Sequence, residues 1–224
     1  MTKHDTMGRI GAAARIAMAA LALLAVPLAA RAGAQAEEQL APSVISVLSR
    51  QISDHPVPAS YSAKPELRAW LDQMSQRLAS RFPDPRERED LLATVHYEAT
   101  RAALDPQLVL AVIQYESAFR KYAISTAGAR GFMQVMPFWT KLVGAQPSDL
   151  FQLRINLRYG CVILRHYLDR ENGDIYRALG RYNGSLGQPE YPNGVIGMQN
   201  RNWTYARGSS GTKLGAIIPT ALAQ

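Results

Sequence analysis

The sequence has very little cysteine and a modest share of charged residues. Its 224 residues include one Cys, and 19% are charged against 47% that are hydrophobic. A single cysteine cannot form an internal disulfide or supply a cysteine-based zinc site. A chain this apolar is not intrinsically disordered, and its length suits one domain with appendages. The composition therefore excludes disulfide scaffolds, cysteine-based zinc modules and disordered chains.

The chain also lacks a long hydrophobic run. The uncharged stretch 16–30 contains Pro27 and is only fifteen residues long, whereas a spanning helix needs about 20 apolar residues. Basic residues precede it, and small-x-small cleavage patterns follow between residues 30 and 36. We interpret residues 1–34 as a cleaved secretory signal peptide, the alternative being a transmembrane anchor. No cysteine lies near the cleavage region, so we expect a periplasmic or exported protein without a lipid anchor.

Acidic residues are in the minority, but the basic excess is small. The formal net charge is +7, and removal of residues 1–34 takes away four positive charges and one negative charge, which leaves +4. The remaining Lys and Arg residues do not form the dense patch that nucleic-acid binding requires. We therefore expect no nucleic-acid partner.

Strand-like alternation is scarce, and apolar residues at helical spacing dominate the chain after residue 40. Asp105 followed by Pro106 is typical of a helix start. The spacing predicts helices over residues 41–53, 65–82, 86–104, 108–119, 137–143, 153–172 and 174–181. Residues 191–205 are ambiguous between helix and loop.

These patterns predict an all-α protein in three parts after the signal peptide. An all-α domain is expected over residues 90–205. A helical N-terminal extension over residues 35–89 carries apolar faces that need cover, so we expect it to pack on the domain. Residues 206–224 are rich in Gly, Ser and Ala and are expected to form a flexible tail.

Glu116 is a carboxylate on an apolar helical face. It follows Ile113 by three residues and Val112 by four, and it lies near the end of its predicted helix. Desolvation and the helix dipole both raise a carboxyl pKa, and a carboxyl that stays protonated near neutral pH can donate a proton to a sugar oxygen. Position alone favours a structural explanation, either a buried Glu paired with an Arg or one that turns outward.

Residues 125–137 form a glycine-bearing loop with polar and soft apolar side chains. Gly128 and Gly131 permit close backbone approach to a ligand, and Gln134 offers both a donor and an acceptor. Met136 offers adaptable apolar surface. An ordinary interhelical loop with its methionines in the core explains the same residues.

Three motifs occur in a fixed order along the chain. They are Tyr115-Glu116-Ser117, the segment 131–137 and Arg181-Tyr182-Asn183-Gly184. Together they resemble the catalytic domain of the soluble lytic transglycosylase (SLT) family, which has a lysozyme-like fold and cleaves peptidoglycan. The resemblance covers about residues 95–205, and residues 156–160 resemble the family helix between the second and third motifs.

The resemblance implies that Glu116 is the single catalytic acid and base. It would protonate the glycosidic oxygen between N-acetylmuramic acid and N-acetylglucosamine. It would then take the proton of the C6 hydroxyl of the muramoyl sugar, closing a 1,6-anhydro ring without water. No second carboxylate stands at a fixed spacing from it, so the substrate's N-acetyl group is expected to stabilise the charge at C1.

The resemblance also implies six substrate-binding residues: Ser117, Ser125, Gln134, Met136, Tyr182 and Asn183. Ser125 and Gln134 would bond the sugar, and Met136 would pack on it. Ser117 would contact the sugar or cap the local backbone.

Tyr182 would bond or orient Glu116, its alternative being a core tyrosine at a helix end. Asn183 would hold its loop or contact the sugar.

No metal or cofactor is expected. The four histidines, His4, His55, His96 and His166, show no ligand spacing. The expected partners are peptidoglycan glycan strands and, through the extension, cell-envelope or secretion machinery, with the protein itself monomeric. Two other functions stay open, a lysozyme-type hydrolase and a non-catalytic module that binds peptidoglycan within an envelope machine.

Overall fold

A computed structural model describes residues 35–51 and 55–205. The predicted signal peptide and C-terminal tail lie outside the described residues. Within them the backbone is helical, with only isolated antiparallel bridges around Arg130, and the all-α prediction is confirmed. The α-helices are α1 Pro42–Gln51, α2 Ala59–Ser62, α3 Pro65–Leu78, α4 Pro85–Arg101, α5 Pro106–Ser117, α6 Phe138–Lys141, α7 Leu153–Arg170, α8 Ile175–Asn183 and α9 Glu190–Asn202, with a 3-10 helix at Pro147–Phe151.

Side-chain caps and prolines define where the helices begin. α5 begins at Pro106, and the Asp105 side chain accepts a hydrogen bond from the backbone N–H of Gln107. Proline tolerates this first position because its missing N–H has no partner inside the helix. The predicted start signal is therefore confirmed. The ambiguous region 191–205 is largely helical, since α9 covers most of it.

Helix α7 passes through the core and organises the domain. It packs against α1, α4 and α8, while α9 packs against α5 and α8. Arg158 of α7 forms an ion pair with Glu98 of α4, and both side chains are buried. Arg101 lies 3.8 Å from the same carboxylate, but Arg158 has Glu98 as its buried partner, and removing one member of a buried pair is strongly destabilising. The pair therefore fixes α4 against α7.

The described part of the N-terminal extension shares its core with the rest of the chain. The buried face of α3 includes Trp70, whose indole N–H donates to the Gln107 side chain of α5 at 3.0 Å. Arg77 donates to the backbone carbonyl oxygen of Asn202 at the end of α9. Helix α4 runs continuously through residue 90, where the sequence pattern placed a domain boundary.

Candidate active site

Helix α5 carries Glu116 and ends one residue after it. Ala118 and Phe119 both adopt positive φ, at 49° and 63°. This left-handed backbone is uncommon for residues with a Cβ, and it turns the chain sharply away from the helix axis. Phe119 is buried, so packing of its ring supports the turn. The carboxylate is thereby held at a helix end, as the sequence predicted.

Glu116 is half-buried as a residue, but its carboxyl group is strongly desolvated. Burial raises its pKa to about 7, and a hydrogen bond from Tyr191 opposes the shift. The Tyr191 hydroxyl donates to Oε1 of Glu116 at 2.6 Å. Among the described residues no cation pairs with Glu116, so neither an arginine pair nor an outward turn accounts for it. Near neutral pH the group can both donate and accept a proton.

Tyr191 is brought to the site by the first turn of α9. Its side chain is buried, and its ring packs edge-on against Tyr115 with centroids 4.9 Å apart. One turn further along α9, a methyl group at Gly194 would overlap the Tyr115 ring. Burial, and secondarily the charge of Glu116, raise the pKa of Tyr191 well above its ordinary value. The phenol therefore stays protonated and acts as a donor.

Tyr182 does not form the predicted hydrogen bond to Glu116. Its buried hydroxyl donates to the backbone carbonyl oxygen of Met133 at 2.7 Å. Tyr191, nine residues later, takes the place that the sequence assigned to Tyr182. The alternative of a core tyrosine at a helix end describes Tyr182 correctly. Tyr191 was missed because it lies in the region whose helical pattern was ambiguous.

The loop between α5 and α6 is tightly folded on itself. Arg130 and Val135 exchange two backbone hydrogen bonds, at 2.9 and 3.0 Å. Gln134 has a φ of 48°, and its amide nitrogen donates to the carbonyl oxygens of Ala123 and Gly131. Both amide hydrogens therefore brace the loop, and only the side-chain oxygen of Gln134 is left for a sugar. This corrects the expectation that Gln134 serves a sugar as both donor and acceptor.

The side chain of Asn156 in α7 holds the same loop through hydrogen bonds to its backbone. Its side-chain oxygen accepts from the N–H of Met133 at 2.8 Å, and its amide nitrogen donates to the carbonyl oxygens of Arg130 and Leu150. The side chain is fully buried. Gly131, with a φ of 76°, leaves room for it, because a methyl group there would overlap the Asn156 amide. The sequence placed residues 156–160 in a family helix but assigned them no role.

Of the two serines predicted to bind sugar, Ser117 is buried and Ser125 is half-buried. The buried Ser117 hydroxyl lies 3.1 Å from the carbonyl oxygen of Ile113 and 2.8 Å from that of Phe132. It therefore ties α5 to the loop, as the capping alternative proposed, and the sugar contact is not supported. Ser125 is half-buried, and its oxygen accepts from the N–H of Ala129, which leaves its hydroxyl hydrogen available.

Met136 and Asn183 remain accessible. Both are half-buried, and Met136 packs against the core from the loop. Asn183 is the last residue of α8, directly before Gly184 in left-handed conformation. Its side chain makes no hydrogen bond to another residue in the described ranges. Either side chain can therefore meet a ligand.

Residues 35–51 and 55–205 contain no group of three or more His, Cys, Asp or Glu side chains placed to hold a metal ion. In the same part of the chain, each helix is too short or too polar to span a bilayer.

The chain is similar to proteins whose names place them among transglycosylases. Residues 93–192 match the model of the transglycosylase SLT domain. The transglycosylase of Enterobacteria phage PRD1 is 34% identical over 141 residues, 58% of this chain and 51% of the phage protein. The membrane-bound lytic murein transglycosylase C of Haemophilus influenzae is 34% identical over 91 residues, 35% of this chain and 26% of that protein. The chain thus spans about half and about a quarter of these relatives.

Solved structures give a weaker similarity. An inactive mutant of the lytic transglycosylase Slt from Pseudomonas aeruginosa shares 22% identity and aligns with 70% of this chain and 32% of its own, with a TM-score of 0.40. The 70 kDa soluble lytic transglycosylase of Escherichia coli shares 16% identity over 62% of this chain and 26% of its own, also with a TM-score of 0.40. The three motifs lie in order inside residues 93–192, the segment that matches the transglycosylase SLT domain.

Proposed function

We propose that the protein is a peptidoglycan lytic transglycosylase that uses Glu116 as its single acid and base. The observation that carries the proposal is the desolvated Glu116 carboxyl, whose pKa lies at about 7 beside a protonated Tyr191. Such a group is populated in both protonation states near neutral pH, as a residue that donates and then recovers a proton requires. The substrate class is taken from the family and from the names of the relatives.

The reaction needs two proton transfers at one carboxyl group. Protonated Glu116 gives its proton to the glycosidic oxygen, and the bond to C1 of the muramoyl sugar breaks. The substrate's own N-acetyl oxygen then stabilises C1. The Glu116 carboxylate next takes the proton of the C6 hydroxyl, whose oxygen bonds C1 and closes the 1,6-anhydro ring. Glu116 ends protonated, and no water is consumed.

The surroundings of Glu116 favour this route over hydrolysis by a pair of carboxylates. Ordinary glycosidases place a second carboxylate close to the first, where the two affect each other's pKa. The raised pKa of Glu116 comes from burial, and no acid among the described residues contributes to it. The Tyr191 hydroxyl is the group that holds the carboxylate once it is charged. The accessible Ser125, Met136 and Asn183 are proposed to contact the sugars.

The proposal includes export, with residues 1–34 as a cleaved signal peptide, 35–89 as the extension, 90–205 as the catalytic domain and 206–224 as a tail. Peptidoglycan lies outside the cytoplasm, so an enzyme that cleaves it must cross the inner membrane. Signal cleavage without a lipid anchor leaves the protein free in the periplasm. The extension is the surface that an envelope or secretion machine would use.

The deciding experiment is digestion of purified sacculi, followed by mass spectrometry of the soluble products. Anhydro-muramic ends are expected from the wild type. Glu116→Gln is expected to lower turnover by about 10³-fold or more, because it can neither donate nor accept the proton, while it still binds sacculi. Reducing muramic ends would identify a lysozyme-type hydrolase. Binding by the wild type without any soluble product would identify a non-catalytic module.

A further inference from the structure

Residue 35 of the segment 35–40 contacts the loop between α5 and α6 (residues 118–137, called the substrate loop below), although the two are about a hundred residues apart in sequence. The segment has no regular secondary structure and leads into α1. Gln35 and Leu40 are buried, with exposed fractions of 5% and 2%, whereas Ala36, Glu37 and Gln39 between them are exposed. A glutamine so fully buried needs hydrogen-bond partners for its amide. The partners of the Gln35 amide all lie in the segment 134–139.

The side chain of Gln35 makes contacts in three directions. Its oxygen accepts from the backbone N–H of Met136 at 3.1 Å and from the indole N–H of Trp139 at 2.8 Å. Its nitrogen lies 3.4 Å from the carbonyl oxygen of Gln134. One amide therefore joins both ends of the segment 134–136 to the core beneath it.

These contacts have no evident substitute within the described residues. Trp139 is fully buried, so its indole N–H would lose its partner if Gln35 were absent. An unpaired buried donor is costly, and the loop would move to reach water. The residues that would move, Gln134 and Met136, are two of those expected to contact the sugar.

A second anchor holds the segment in register. Glu38 forms an ion pair with Arg170 at the end of α7 and lies 3.9 Å from His166. Leu40 enters the core, and α1 then packs along α7. The segment is thus attached to the fold at three residues, Gln35, Glu38 and Leu40. The contact of Gln35 with the loop is therefore not isolated.

We propose that Gln35 is a positioning residue, which holds the loop 134–136 in its substrate-binding conformation. The proposal rests on the proposed function for its kinetic consequence, but the contact itself is independent of catalysis. Gln35 touches no reacting atom. It acts through the backbone of Met136 and the indole of Trp139, so its loss affects sugar binding more than proton transfer.

The test compares Gln35→Ala with the wild type in the chain 35–224, which is what the proposed signal cleavage leaves. Without substrate, hydrogen exchange at the Met136 amide is expected to accelerate about tenfold, since one hydrogen bond is lost. On solubilised glycan strands KM is expected to rise about fivefold or more. The pH dependence of kcat is expected to stay as in the wild type, because Glu116 and Tyr191 are untouched.

Gln39→Ala is the matched control, because it removes the same side chain from an exposed position in the same segment. It is expected to behave as the wild type in both measurements. Gln35→Glu keeps the oxygen that accepts from Met136 and Trp139, so a smaller rise in KM is expected. It supplies the comparison if Gln35→Ala does not fold.

Unchanged exchange at Met136 in a folded Gln35 variant would overturn the proposal. So would an activity loss that only follows the folded fraction, with KM and the Met136 exchange rate unchanged in the folded protein. If the wild type releases no product from sacculi, the proposed function fails. The exchange rate at Met136 still decides, in that case, whether Gln35 holds the loop.

Discussion

The hydroxyl of Tyr191 donates a 2.6 Å hydrogen bond to Oε1 of Glu116, and this bond works against the effect of burial. Burial favours the neutral acid, which is the form that gives up the first proton. The hydrogen bond favours the carboxylate, which must then accept the second proton. The opposition of the two effects leaves the pKa at about 7.

Tyr191→Phe is therefore expected to shift the pH profile in a defined direction. Loss of a donor to the carboxylate raises the pKa of Glu116 further. The basic limb of the activity profile, where the acid is lost, moves to higher pH. Turnover at the optimum falls by about tenfold or more, because the carboxylate is no longer oriented. Product release from sacculi, measured between pH 5 and 9, checks both effects.

Tyr182→Phe is the control for that experiment. It removes an equally buried hydroxyl that bonds Met133 and not Glu116. A loss of about 1–2 kcal/mol of unfolding free energy is expected. Both limbs of the pH–activity profile are expected to stay at their wild-type positions. A shift of the basic limb in this variant, and none in Tyr191→Phe, would reverse the two assignments.

The pH dependence of stability tests the burial of Glu116 directly. Its folded pKa of about 7 lies above its ordinary value of 4.5, so the folded state binds the proton more tightly. The resulting stabilisation is complete below about pH 4.5 and is lost as pH rises through 7. Glu116→Gln carries no titrating group. Relative to the wild type it is expected to gain up to about 3 kcal/mol between pH 4.5 and pH 8.

Urea unfolding of both proteins across that pH range measures the difference. A constant gap between wild type and Glu116→Gln would mean that the carboxyl is solvated in the folded protein. The proton-transfer proposal would then lose its physical basis.

Two glycines of the substrate loop are expected to respond differently to the same change. Gly131→Ala places a methyl group against Asn156 and the Leu150 carbonyl oxygen, at a φ of 76°. Overlap and backbone strain together should cost about 3 kcal/mol or more. Gly128→Ala has open space around it and bears only the strain of its φ of 88°, about 1–2 kcal/mol. Thermal unfolding of the two variants measures how tightly the Asn156 side chain packs against residue 131. Equal losses of stability in both variants would contradict that packing.

Ser117 and Ser125 are expected to differ in role. The hydroxyl of Ser117 is structural, whereas that of Ser125 is available to a sugar. Ser117→Ala removes a buried bond to the loop and should lower the unfolding free energy by about 1 kcal/mol with KM unchanged. Ser125→Ala should raise KM with little change in stability, since its hydroxyl hydrogen is free for a ligand. Steady-state kinetics well below both unfolding midpoints, with denaturation curves for each variant, distinguish them. A raised KM in Ser117→Ala alone would return Ser117 to the sugar site.

Local patterns were sufficient for much of the fold. The start of α5 follows from Asp105 and Pro106, because a cap and a missing N–H act within one turn. The apolar spacing before Glu116 placed that carboxylate on a covered face for the same local reason. The serine and tyrosine roles could not be assigned in this way, since a hydroxyl's partner depends on which element packs beside it.

The sequence by itself determined that this chain is helical, where its main helices lie and which carboxyl group is the unusual one. Only the tertiary structure decided that Tyr191 and not Tyr182 meets Glu116, that Asn156 clamps the loop from α7, and that Gln35 reaches it from the N-terminal segment. The physical reason is the separation in sequence over which each kind of interaction acts. Helix propensity, capping and apolar periodicity act over a few residues, whereas these contacts join groups that are 23 to 104 residues apart in sequence, and packing alone brings them together.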